Sequence, residues 1–136
     1  MYLFLNTSSA EHIDFLFATA KKILLSKHLL QPRGKRIDVL YELSKALKKL
    51  KKTPQNIRGI VAVVGPGYFS HLRTGIAIAN TFTFVQNTRL LGIPTHEFPQ
   101  MLGEVQRLII RLQSVKSWAF LMPAYGKEPT ITMKKK

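Results

Sequence analysis

The apolar run Gly59-Ile60-Val61-Ala62-Val63-Val64 ends on Gly65-Pro66-Gly67, and small and apolar residues then continue to Gln86. A short apolar run bounded by turn signals is a buried strand, and the segment from about Phe69 to Gln86 is long enough for a helix. The predicted helix is apolar nearly all round, with Arg73, Asn80 and Thr81 among its polar exceptions. A helix of that kind is buried, by its own domain or in part by a partner. Gly75, Ala77 and Ala79 let another backbone come close. Gly65 and Gly67 permit backbone angles closed to other residues, and Pro66 fixes one φ and removes one N–H. The free N–H groups of the following helix can hold an anion. From the glycines alone, a tight strand-to-helix connection that binds nothing is the better reading.

The rest of the chain is consistent with a mixed sheet covered by helices. Tyr2–Asn6 reads as a strand, followed by turn chemistry at Thr7–Ala10. Ile13–Ala18 and Lys22–Leu30 read as two more strands of an antiparallel meander, although 21–30 is equally helical on propensity. Gln31-Pro32-Arg33-Gly34 breaks the chain, and Lys35–Lys52 reads as a helix. Val39, Leu43, Ala46 and Leu50 make one apolar stripe on it, and Ile37, Leu40, Tyr41 and Leu47 an adjacent one. Together they cover more than half the circumference, which fits a helix that packs on its own sheet and also on something else, or one sunk deep in its own fold. Leu90–Ile93 is a short strand, and Phe98–Leu112 a third helix with Leu102, Val105, Leu108 and Ile109 inward and Pro99 in its first turn. Trp118–Met122 and Thr130–Met133 read as a closing pair of strands, and Lys134–Lys136 as a frayed tail.

The pattern G-P-G-x-F-S-x-L-R-x-G-I-A-x-A over 65–79, followed by Leu90-Leu91-Gly92-Ile93-Pro94, resembles the signature of the tRNA threonylcarbamoyladenosine biosynthesis protein TsaB (YeaZ) family. The opening Leu3-Phe4-Leu5-Asn6-Thr7-Ser8-Ser9 is similar to that family's first strand, which usually ends D-T-S. The motif residues carried over are Gly65, Pro66, Gly67, Phe69, Leu72, Arg73 and Gly75; Tyr68 and His71 stand where the family often has serine and glycine. The resemblance implies an actin-like ATPase or RNase H-like α/β lobe over residues 1–100. Its five-stranded mixed sheet has three antiparallel strands and then helix, strand, helix, strand. Residues 101–136 are expected to be a helix and short strands left from a second lobe, because family members continue into a similar second lobe that is mostly missing here.

The resemblance further implies a non-catalytic scaffold that pairs with TsaD, the subunit that transfers a threonylcarbamoyl group to a tRNA adenosine. A TsaE-like ATPase belongs to the same complex. In the family two helices of the first lobe pack against the equivalent pair of TsaD. Those helices correspond here to 35–52 and 69–86. Ile37, Leu40, Tyr41, Leu47, Leu72, Ile76, Ala79 and Thr83 are the resulting partner-interface candidates, and the same face is expected to form a homodimer when the chain is alone.

The chain has 136 residues, 46% of them hydrophobic, enough for a real core. Its 21 Lys and Arg against 7 Asp and Glu give a net charge of +14. That field favours nucleic acid or an anionic membrane surface, and equally describes a solubilising surface. Lys45, Lys48, Lys49, Lys52 and Arg58 are the candidates for contact with tRNA phosphates, and a small basic RNA-binding protein of another family is the alternative reading. There is no cysteine, hence no disulfide and no thiolate metal site. With no signal-peptide pattern and no membrane-length apolar run, a cytoplasmic protein without a membrane association is expected.

Signs of catalysis are weak. His12, His28, His71 and His96 include no H-x-x-x-H pair, so no metal and no cofactor is expected. The TsaD family carries such a pair after the strand near residue 93, whereas this chain reads Thr95-His96-Glu97-Phe98-Pro99-Gln100. Asn6 stands where actin-like ATPases place an aspartate, and a neutral amide withholds the charge a divalent cation needs. A hydrolase or kinase-like ATPase is therefore disfavoured.

Overall fold

A computed structural model describes residues 1–32, 35–115 and 121. Its centre is a five-stranded sheet built from β1 (Tyr2–Asn6), β2 (His12–Ala18), β3 (Ile23–Leu30), β4 (Gly59–Gly65) and β5 (Arg89–Pro94), in the spatial order β3-β2-β1-β4-β5. β1, β2 and β3 pair antiparallel, while β4 lies parallel to both β1 and β5. Antiparallel neighbours need only tight turns, whereas the parallel pairs need crossovers. These are supplied by α1 (Val39–Lys49) and α2 (Phe69–Gln86). The segment 21–30, left open between helix and strand on propensity, is a strand whose pairing with β2 decides the matter.

Alternation along the strands divides the core into two layers, as the two-residue period requires. Leu3, Leu5, Phe15, Phe17, Ile60 and Ala62 face one side, where α1 brings Val39, Leu43, Ala46 and Leu47. Phe4, Leu16, Val61 and Val63 face the other, where α3 (Leu102–Gln113) brings Val105, Leu108, Ile109 and Leu112. So α3, which the sequence reading assigns to a second unit, shares its core with the sheet.

Two helices have boundaries that differ from the expected ones. The helix expected from Lys35 begins at Val39, because Asp38 caps it by accepting the Tyr41 N–H at 3.0 Å. Ahead of it, the Ile37 N–H is taken by the Gln31 side-chain oxygen at 2.9 Å, so Ile37 precedes the helix. The helix ends where Lys51 turns left-handed (φ 59°) and the Lys52 N–H folds back to the Leu47 carbonyl at 2.9 Å. The third helix begins at Leu102 rather than Phe98. Pro99 lies ahead of its first turn, in a segment held by the Glu104 carboxylate accepting the Gln100 N–H at 2.7 Å. The expected strands 118–122 and 130–133 and the lysine tail fall outside the described residues, apart from Leu121. The Asn80 amide holds Leu121 through both backbone groups: it accepts the Leu121 N–H at 2.9 Å and donates to the Leu121 carbonyl at 3.1 Å. No described helix is long and apolar enough to cross a membrane.

Candidate partner-binding surface

The signature turn packs against the chain itself. Gly65 has φ 131°, a conformation that favours glycine. The Tyr68 N–H donates to the Ser8 carbonyl at 2.7 Å, and a Cβ on Gly67 would lie 2.5 Å from that same oxygen. Eight residues later, inside α2, a Cβ on Gly75 would lie 2.1 Å from Thr7 Oγ1. Thr95 donates its hydroxyl to the Pro66 carbonyl, and His71 Nδ1–H donates to the Ser9 carbonyl at 3.1 Å. The glycines at 67 and 75 thus seat the exit of β1 against the start of α2. Asn6 joins the same arrangement: its buried side-chain oxygen accepts both the N–H and the hydroxyl of Ser8, at 2.9 and 2.6 Å. Its amide shapes a local turn. Of the other motif residues, Leu72 is fully buried, and the exposed Arg73 lies over the Phe69 ring, 5.2 Å from its centroid.

Between α1 and α2 an apolar groove of about 420 Å³ opens onto the sheet. Leu3, Leu5 and Phe17 are among its floor residues, Leu43 and Leu47 belong to the α1 wall, and Ile78 and Phe82 to the α2 wall. Leu40, 61% exposed, and the exposed Lys48 and Lys52 also line it. Tyr41, 57% exposed, follows Leu40 on α1, with the Lys45 ammonium 5.3 Å from its ring centroid.

The eight interface candidates therefore divide. Leu40 and Tyr41 are exposed, and Ile37 is half-buried just ahead of α1. Leu47, Leu72, Ile76, Ala79 and Thr83 are buried within the chain. This corrects their expected place on an open face: on α2 the inward stripe is Leu72, Gly75, Ile76, Ala79 and Thr83, and it is spent on the chain's own core. Sequence reasoning missed Ile78 and Phe82, which adjoin the stripe and line the groove. An all-round apolar helix has no polar face to mark its orientation.

All five basic candidates are exposed. Lys45 is 3.7 Å from Glu42, a contact that takes up part of its charge. Lys48, Lys49, Lys52 and Arg58 have no carboxylate partner among the described residues. Lys52 and Arg58 share a shallow pocket with the Met1 amine. The amine's pKa lies below its ordinary value, first because of partial burial and then because of the nearby Arg58 and Lys52 charges.

The family model for TsaD, tRNA N6-adenosine threonylcarbamoyltransferase, matches residues 35–100, a span that contains both α1 and α2. Among solved structures, YeaZ from Pseudomonas aeruginosa superposes with a TM-score of 0.61 at 22% identity, covering 69% of this chain. The chain has the fold of YeaZ. A second structure, titled as an uncharacterized protein with similarity to peptidase YeaZ from Pseudomonas aeruginosa, gives the same 0.61, 22% and 69%. This chain spans 44% of the length of each of those YeaZ structures. No curated protein matches the chain. The YeaZ-like sheet is the expected mixed five-stranded sheet of an actin-like lobe, with the groove helices as its two crossovers.

Proposed function

We propose that this chain is a non-catalytic subunit in the formation of N6-threonylcarbamoyladenosine in tRNA, and that it pairs with a TsaD-like protein through the groove between α1 and α2. The open apolar groove with Leu40 and Tyr41 beside it carries this reading, since surface apolar patches of this kind mark interaction sites. The YeaZ-like fold and the TsaD family match over both groove helices support it. Leu40 and Tyr41 are the contact residues on α1, with Ile78 and Phe82 at the groove wall. The buried candidates on α2 hold that helix in place. The non-catalytic part rests on Asn6, whose amide oxygen is engaged by Ser8 at the strand end where a metal-binding carboxylate would be needed.

Size-exclusion chromatography with light scattering, on this chain mixed with the TsaD-like protein of its own source, tests the pairing. A one-to-one complex is expected, displacing any homodimer. Leu40→Asp should weaken it by roughly 30-fold or more, the effect of losing about 2 kcal/mol at an interface anchor. Because Leu40 is exposed, the variant should keep its fold to within about 0.5 kcal/mol. Unchanged pairing by a folded Leu40→Asp chain would place the interface elsewhere.

A second reading, direct contact with tRNA, is favoured by Lys48, Lys49, Lys52 and Arg58, which have no carboxylate partner among the described residues, and by the net charge of +14. Binding through them weakens steeply with salt. An affinity indifferent to salt would remove it.

A further inference from the structure

One cluster of titratable side chains lies apart from the groove. His12 and Asp14 are two residues apart on β2, so their side chains share a face of the sheet. Asp14 pairs directly with His28 on β3, which brings that imidazole to the same face. His12 Nδ1 lies 3.0 Å from Asp14 Oδ2, and His28 Nδ1 is in contact with Asp14 Oδ1. The two imidazole rings have centroids 4.7 Å apart. One ligand atom from each of the three residues falls within a span of 4.8 Å.

We propose that His12, Asp14 and His28 form a binding site for a divalent first-row transition cation. Two imidazoles and one carboxylate are the ligand set that suits zinc and its neighbours, and they exclude a preference for the harder calcium and magnesium. Nitrogen and oxygen ligands lie about 2.0–2.2 Å from such an ion, which sets neighbouring ligand atoms roughly 3–3.5 Å apart. The His12–Asp14 separation already matches, and His28, with 59% of its side chain exposed, can turn to complete the set.

A second observation points the same way. His12 Nδ1 is buried and has no hydrogen-bond partner among the described residues, because the nearby carboxylate does not lie along a hydrogen-bond direction. A buried polar atom left unpaired is destabilising, because it has given up water without gaining a partner. Its lone pair directed at a cation removes that cost. Three protein ligands leave at least one coordination position, and the exposure of His28 leaves that position to water or to a ligand from a partner.

Titration calorimetry of zinc chloride into the untagged, chelator-treated chain tests the proposal. One equivalent of zinc per chain is expected. His28→Gln and Asp14→Asn should each weaken binding about tenfold or more, a loss that even outer-sphere changes at metal sites can reach. His96→Gln, at an exposed histidine elsewhere, should leave it unchanged. Cobalt substituted at the site should show visible absorption that His28→Gln abolishes. Circular dichroism will show whether His28→Gln, on an exposed side chain, keeps the fold. No binding by the parent chain, or equal binding by a folded His28→Gln chain, would overturn the assignment. So would loss of binding in His96→Gln.

Discussion

Gly75→Ala isolates the contact that seats the signature helix on the first strand. A Cβ at position 75 would lie 2.1 Å from Thr7 Oγ1, 2.8 Å from its Cγ2 and 3.0 Å from its Cβ. Carbon atoms rest about 3.5–4.0 Å apart, so either α2 or the β1 exit must shift. Both Gly75 and Thr7 are buried, and neither has solvent to move into. Two terms oppose each other. Alanine in a helix interior is favoured over glycine by about 1 kcal/mol, while overpacking a filled core costs about 1–3 kcal/mol. With two atoms closer than 3.0 Å the upper part of that range applies, and the net loss is about 1–2 kcal/mol.

Thr7→Ala deletes the two nearest atoms and leaves only the Cβ at 3.0 Å, which a shift of a few tenths of an ångström relieves. In that background Gly75→Ala should be neutral or stabilising, because helix propensity then prevails. The double-mutant cycle is expected to give a coupling of roughly 1–3 kcal/mol. Urea unfolding of the four proteins, followed by circular dichroism, reads each corner. Equal cost of Gly75→Ala in both backgrounds would refute the steric reasoning. Stabilisation by Gly75→Ala in the parent chain would show that α2 does not approach Thr7 this closely.

Gly67→Ala should also destabilise, by about 1–3 kcal/mol in urea, since its Cβ would meet the Ser8 carbonyl oxygen at 2.5 Å. Here the obstacle is backbone, so substitutions of the Ser8 side chain should not restore the loss as Thr7→Ala does for Gly75. An unchanged urea midpoint would contradict that packing. Lys52→Gln and Arg58→Gln should each lower the slope of log affinity against log salt for tRNA by about 0.7–0.9, measured by filter binding. A slope untouched by both would take these residues out of the RNA contact.

The strands were legible because short apolar runs between turn residues leave little alternative, and β1, β4 and β5 fall within about a residue of where that pattern puts them. The helix starts were less legible because individual polar side chains set them. Gln31 takes the N–H of Ile37, six residues further along the chain, and Glu104 takes the Gln100 N–H ahead of α3. Nothing in the periodicity of 35–52 reveals that the Gln31 amide competes for its first turn. The groove was half legible. The broad apolar arc of α1 announces surplus hydrophobic surface, and Leu40 and Tyr41 carry it. On α2 the side chosen for burial follows from where Thr7 sits, a contact between residues 68 positions apart in the chain.

The histidine cluster was hidden for a different reason. A search for metal ligands at helical spacing finds no pair here, because sheets bring ligands together at i and i+2 and across the ladder. Even a correct hairpin would not have been sufficient. The Ala18–Ile23 pairing nearest the turn, continued in step, would set Asp14 opposite Lys27. A bulge between Phe17 and Ala18 adds one residue and sets it opposite His28 instead. A shift of one residue sends every β3 side chain to the other face. The register change thus decides whether an imidazole or a lysine ammonium stands beside the carboxylate. It also leaves Leu25 and Leu29 packed against the α1-side core while His28 stays on the opposite face, beside Asp14. Partial burial of those leucines is therefore what holds the third ligand in place, so the same apolar contacts that fix the edge strand also assemble the proposed cation site.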